Sequence, residues 1–145
     1  MDLFATFGIS GAGMSYERLR LDVAAVNLAN AHTTKAADGT LFKPLHVAMK
    51  ASATQSFENW LQAFGVSGAS ALPYEVTVET ADRPPRMVYE PGHPDADAKG
   101  FVAYPDINPV SQMVELIAVT RAYEANVRAM NAAKTMAQKA LEIGA

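Results

Sequence analysis

Apolar residues recur at alternating gaps of three and four at both ends of this chain, and that spacing constrains the fold more than any other feature. Near the start the line runs Ile9, Ala12, Tyr16, Leu19, Val23, Val26 and Asn30. Near the end it runs Met113, Leu116, Thr120, Tyr123, Val127, Met130, Lys134, Ala137 and Leu141, weakened at Thr120 and Lys134. Such gaps put the residues on one stripe of an α-helix, and the heptad repeat they make is that of helices packed side by side. The second helix has legible ends. Asn108 is placed to be its N-cap, Pro109 its first residue and Glu115 an early carboxylate favoured by the helix dipole, while Gly144 marks the stop. The first is expected to fray ahead of Gly13, because Gly8, Gly11 and Gly13 each cost about 1 kcal/mol relative to Ala inside a helix.

Between the two ends the period changes. "YEVTVET" sets Tyr74, Val76 and Val78 against Glu75, Thr77 and Glu79, which is the alternation of a half-buried strand. "RMVYEP" and "GFVAYP" read as short strands, and "KPLHVAMKA" (residues 43–51) as a first strand. Pro91, Gly92, Pro94 and Gly100 make residues 91–100 a loop. In "ATQSFENWLQAFGVSGASAL" the residues Phe57, Trp60, Leu61 and Phe64 fit one face of a short helix, followed by a Gly/Ser connector. The expected fold is therefore α+β. A helix over residues 1–34, flexible through Ala12, and a helix over residues 106–145 pack as a coiled-coil-like pair. They flank a β-rich insert over residues 35–105.

Composition narrows the function classes. Half of the 145 residues are apolar and 19% are charged, which suits a folded domain with a core. The net charge is −3 and the basic residues are scattered, so no stripe tracks a phosphate backbone and nucleic acid is not an expected partner. Without cysteine there is no disulfide, thiolate chemistry or Cys-ligated metal. No run approaches the roughly 18 apolar residues of a membrane span, and no cleaved signal peptide is expected.

The candidates for chemistry are few. His93, Asp95 and Asp97 in "GHPDADAKG" could ligate a metal or share a proton, as in a metal-dependent enzyme, but the spacing is not diagnostic and a calcium loop would need further ligands. His32 and His46 have no partner motif, and "GISGAG" lacks the strand and glycine spacing of a dinucleotide fingerprint. No catalytic residue, cofactor or small-molecule substrate is expected. A membrane-surface helix would need Lys and Arg along the polar faces, and the terminal helices carry mixed charge instead. A two-helix hairpin cannot cover both of its sides, so apolar helical ends around a small sheet suggest a subunit that packs into neighbours as in a filament or tube.

The residues that carry a family resemblance lie in three blocks. "RLDVAAVNLANAHT" and "MVELIAVTRAYEANVRAMNAAKTM" resemble the two terminal segments of the bacterial flagellar rod and hook axial proteins. The block "RMVYEPGHPDADAKGFVAYPDIN", residues 86–108, resembles the proximal-rod pattern of Tyr-x-Pro-x-His-Pro, Ala-x-Ala-x-Gly and Val-x-Tyr-Pro. The similarity covers roughly residues 8–50 and 74–144 and fails between Ser52 and Pro73. It implies a non-enzymatic subunit of the flagellar basal-body rod that polymerises with itself and other rod proteins to transmit torque. It also implies a place in the periplasmic space, and export by the flagellar type III apparatus without a cleaved signal. Another rod or hook-junction component is the alternative within the class.

Asparagines sit oddly in these apolar helices. An amide on a heptad seam is tolerated when hydrogen-bonded and then fixes register at a cost in stability. Asn30, with Asn27 beside it, and Asn126 next to Val127 are expected to cap or bridge between helices of neighbouring subunits; an ordinary Asn at a helix C-terminus is the other reading of Asn30. The expected assembly residues are Leu19, Val23, Val26, Asn27, Leu28, Asn30, Met113, Leu116, Tyr123, Asn126, Val127 and Met130. Helices that lack partners expose their apolar faces, so both ends are expected to order on assembly.

Overall fold

The computed structural model describes residues 3–35, 39–51 and 74–143. The expected short helix around Phe57 to Phe64 and the stop at Gly144 lie outside the described residues. Among those described, helix α1 (Leu3–Ala29) is followed by strands β1 (Leu45–Ala51), β2 (Tyr74–Thr80), β3 (Arg86–Tyr89) and β4 (Phe101–Tyr104), then by helix α2 (Pro109–Ile143). The α+β class with flanking helices is as expected. In place of one small sheet there are two two-stranded sheets, β1 with β2 and β3 with β4.

The start of α2 is set by the residues that predicted it. The Asn108 Oδ1 accepts from the Val110 N–H at 3.0 Å and the Ser111 N–H at 3.3 Å, and the Asn108 carbonyl accepts from the Gln112 N–H at 3.1 Å. Two of the orphan donors of the first turn are thereby satisfied. Helix α1 begins at Leu3 and passes through all three glycines, within the residues 1–34 expected for it. At Gly13 the helix comes against α2, where a side chain would crowd Asn126.

The chain divides into two compact units, one formed by Met1–Arg18, Ala48–Thr77 and Thr120–Ala145, the other by Leu19–Val47 and Val78–Val119. Within the second, Val23, Ala24 and Ala31 are buried together with Val102, Tyr104, Pro105, Ile107 and Val119. Val102 and Val119 are both wholly buried, and each contributes about 1.5–3 kcal/mol by leaving water. Among the described residues of the first unit the buried positions are Ser10, Glu17 and Ala133.

Strands β3 and β4 are antiparallel, with Val88 opposite Val102 and Tyr89 opposite Phe101. The alternation turns Val102 and Tyr104 inward and leaves Met87, Tyr89 and Phe101 on the outer face, Tyr89 and Phe101 meeting edge to face at 5.3 Å. In β2 the alternation is only partly realised: Val76 is half-buried but Val78 is exposed.

Candidate assembly surfaces

The helices carry two distinct lines. On α1 and its exit, Ser10, Glu17, Ala24 and Ala31 are buried and fall seven residues apart, with Gly13 half-buried and Asn27 buried between them. On α2 the line is Gln112, Val119, Asn126 and Ala133, again seven apart, Val119 and Ala133 buried and the two amides half-buried. Each line sits one residue away from the seam expected from apolar spacing. Ile9, Val26, Met113, Tyr123 and Leu141 are accordingly exposed, while Leu19, Leu28, Leu116, Val127 and Met130 are half-buried. Val23 alone among the seam residues Leu19 to Val26 is buried.

Besides Val23 and Val119, what faces inward is small or polar and makes specific contacts. In the first unit a Cβ at Gly13 would lie 3.0–3.2 Å from the side-chain amide of Asn126, so helix backbone and amide touch there because Gly13 has no side chain. In the second unit Arg20 forms an ion pair with Glu115. Both groups are partly exposed, and such a pair is worth at most about 1 kcal/mol. Asn27 is 4% exposed and binds β1 at both ends of its amide: Nδ2 donates to the Leu45 carbonyl at 2.8 Å, and Oδ1 accepts the Leu45 N–H at 2.8 Å. Its Nδ2 also lies 3.5 Å from the Gln112 Oε1.

Within the chain the Asn27 amide therefore pairs with Leu45 like an added strand residue. Asn30 does what a C-terminal Asn does. Its Nδ2 donates to the Val26 carbonyl at 2.9 Å, and its Oδ1 accepts from the Thr33 hydroxyl at 3.2 Å. Asn126 lies on the inner line, against Gly13.

The outward side of α2 carries a run of exposed apolar residues. Val110 is 67% exposed, Met113 51%, Val114 60% and Ile117 56%. Their spacing of i, i+3, i+4 and i+7 gathers them on one face of the first two turns. Of these only Met113 was singled out from the sequence. The signal for the others was present in "VSQMVELI", but a heptad template begun at Met113 steps past Val110, Val114 and Ile117.

The polar groups of the loop of residues 91–100 are met by the loop and by its neighbours. The Asp97 Oδ1 accepts the Lys99 and Phe101 N–H groups at 2.8 and 2.9 Å, and the Thr34 hydroxyl donates to the Asp95 Oδ2 at 2.7 Å. Gly100 adopts φ +82°, and a Cβ there would meet Tyr89 at 2.9 Å, so the turn requires glycine. Beside the loop the Tyr104 hydroxyl donates to the Glu90 Oε2 at 3.0 Å, and that bond, with desolvation, holds the phenol above its ordinary pKa. His93 and His32 rings pack against Tyr104 with centroids 6.4 and 6.3 Å away. Calorimetric titration with zinc, calcium or manganese should show no site tighter than roughly millimolar, the weak end of protein calcium affinity. A micromolar site that disappears in His93→Ala would assign the loop to metal instead.

Comparison with known proteins gives a consistent pattern. Residues 98–143 match the family described as flagellar basal body rod FlgEFG protein C-terminal. The chain is 37% identical to the flagellar basal-body rod protein FlgC of Bacillus subtilis, over 99% of both chains. It is 35% identical to FlgC of Salmonella typhimurium, over 99% of both. With FlgC of Borreliella burgdorferi the identity is 30%, over 99% of this chain and 98% of the relative.

Proposed function

This chain belongs to the FlgC family of flagellar basal-body rod proteins, and from that premise we propose that it polymerises through the outward faces of its terminal helices and transmits torque by their rigid packing. It is a structural subunit of the basal body rather than an enzyme, and it assembles with other rod components. The observation that carries the finer reading is the exposed apolar line Val110, Met113, Val114 and Ile117, on a helix whose inner line is a separate one, Gln112, Val119, Asn126 and Ala133. Surfaces of that kind on a subunit of a larger assembly are dried by neighbours. The two helices pair within the subunit in a coiled-coil-like manner, for which the matched seven-residue spacing of the two inner lines is the support.

Leu19, Val23, Val26, Leu28, Asn30, Met113, Leu116, Tyr123, Asn126, Val127 and Met130 remain assembly residues in this reading. The exposed ones, Val26, Met113 and Tyr123, touch neighbours directly; Asn27 acts from inside by fixing β1. Periplasmic placement, and passage through the flagellar type III apparatus without a cleaved signal, complete the proposal. Basal bodies extracted with detergent should contain the chain. Tyr123→Ala should remove it from them and abolish motility while the purified monomer keeps its circular dichroism. A Tyr123→Ala monomer that unfolds outright would instead place that ring in an internal core.

A further inference from the structure

Protonation of the His93 ring, we propose, unlatches the loop of residues 91–100 from the segment that follows α1. With His93 neutral, the ring closes the first turn of the loop and leaves the Asp95 carboxylate to Thr34. With His93 charged, that turn opens and the carboxylate goes over to the imidazolium. The device goes beyond the rod reading and does not depend on it.

All the groups concerned lie in the unit formed by Leu19–Val47 and Val78–Val119. The Asp95 N–H donates to the His93 Nδ1 at 3.1 Å. Pro94 has no N–H, so Asp95 supplies the first backbone donor after the histidine. The His93 N–H donates to the Glu90 carbonyl at 3.0 Å, and the His93 carbonyl accepts from the Ala96 N–H at 3.1 Å, which fixes the backbone on either side. A ring nitrogen that accepts a bond carries no proton, so the neutral ring holds its proton on Nε2. The Asp95 Oδ2 lies 4.0 Å from that Nδ1 and accepts from the Thr34 hydroxyl at 2.7 Å. One carboxylate thus stands between the loop and the exit of α1.

Imidazole is the side chain that ordinarily changes charge between about pH 5 and 8. Once protonated, Nδ1 only donates, and the Asp95 N–H then faces a like donor, so their bond is lost. The imidazolium draws the Asp95 carboxylate to itself, since it pairs opposite charges where Thr34 offers a neutral hydroxyl. The surroundings sharpen the change. The Tyr104 ring has the His93 and His32 rings 6.4 and 6.3 Å away and the Arg86 guanidinium 5.8 Å over its centroid. Glu90, bonded to the Tyr104 hydroxyl, and Asp95 are the carboxylates beside these groups, while Asp97 is turned to the Lys99 and Phe101 N–H groups. With both histidines charged, three cations surround one ring in place of one. The tie that is given up joins the exit of α1 to the β3–β4 hairpin, so acid frees the one with respect to the other.

Nuclear magnetic resonance on the full chain tests this directly. At about pH 8 the ring nitrogens of His93 should report a proton on Nε2. As the pH is lowered to about 5, the Asp95 amide should exchange with water about two- to tenfold faster than its intrinsic pH dependence accounts for, which is the loss of one hydrogen bond. The Overhauser contact between the Thr34 and Asp95 side chains should fade with the same midpoint as the His93 ring. His93→Gln, whose amide oxygen can accept but does not titrate, should hold both readouts constant over that range. His32→Gln should leave both changes in place. A proton on Nδ1 at the higher pH, an Asp95 amide or a Thr34 contact that stays as it was once His93 is charged, or changes that survive in His93→Gln or vanish in His32→Gln, would overturn the proposal.

Discussion

A chain carrying Ile117→Asp should fold as the parent does and be missing from isolated basal bodies. Ile117 is 56% exposed, so the substitution removes no core contact from the subunit, and surface changes of this kind usually move stability by no more than about 0.5 kcal/mol. In an assembly that covers the face, the same carboxylate is taken out of water without a partner, at an effective cost of several kcal/mol. At about 1.4 kcal/mol per tenfold, that lowers incorporation by a factor of a hundred or more. Val119 is the natural control, two residues on and 0% exposed. Val119→Asp should unfold the subunit itself, because there the charge is buried against the chain's own core. Circular dichroism of both purified variants, with immunoblots of basal bodies, separates the cases. Normal incorporation of Ile117→Asp would show that this face stays open to water in the rod.

How far the sequence could be read is decided by which physical signals are local. The Asn108–Pro109 start of α2 was legible because a cap needs only its own first turn. The strands β2, β3 and β4 were legible because alternation and flanking Pro and Gly lie within a few residues. The phase of the helices was not. Apolar spacing on α1 supports more than one stripe, since Leu19, Leu21, Val23, Ala24, Ala25, Val26, Leu28 and Ala29 surround the helix. The period therefore says helix but cannot say which stripe is covered from within. The covered stripe is set by close approach, through Gly13, Ala24 and Ala31, and small residues carry little weight in a hydrophobic pattern. The two separate sheets were hidden for a related reason: pairing partners depend on tertiary context, not on any property of one strand.

The role of Asn27 was beyond the sequence, since its partner is Leu45, and it yields the largest stability effect expected of any conservative change here. Asn27→Ala removes both hydrogen bonds to Leu45 and leaves a partly buried N–H and C=O without partners. Orphaning such groups costs about 1–3 kcal/mol each, so a loss of about 2–6 kcal/mol is expected, read as a lower urea midpoint with an unchanged slope. Asn27→Asp should not restore it. A carboxylate can still accept the Leu45 N–H, but it has no proton for the Leu45 carbonyl and sets negative charge against that oxygen at a 4% exposed position. Asn30→Ala, three residues on, should shift stability far less, because its bonds to Val26 and Thr33 are local and open to water that can replace them. Two asparagines in one "NLAN" stretch are thus separated by geometry: one ends a helix, the other joins the helix to the first strand. Equal, small losses at both positions would mean that the clamp on Leu45 does not hold in solution.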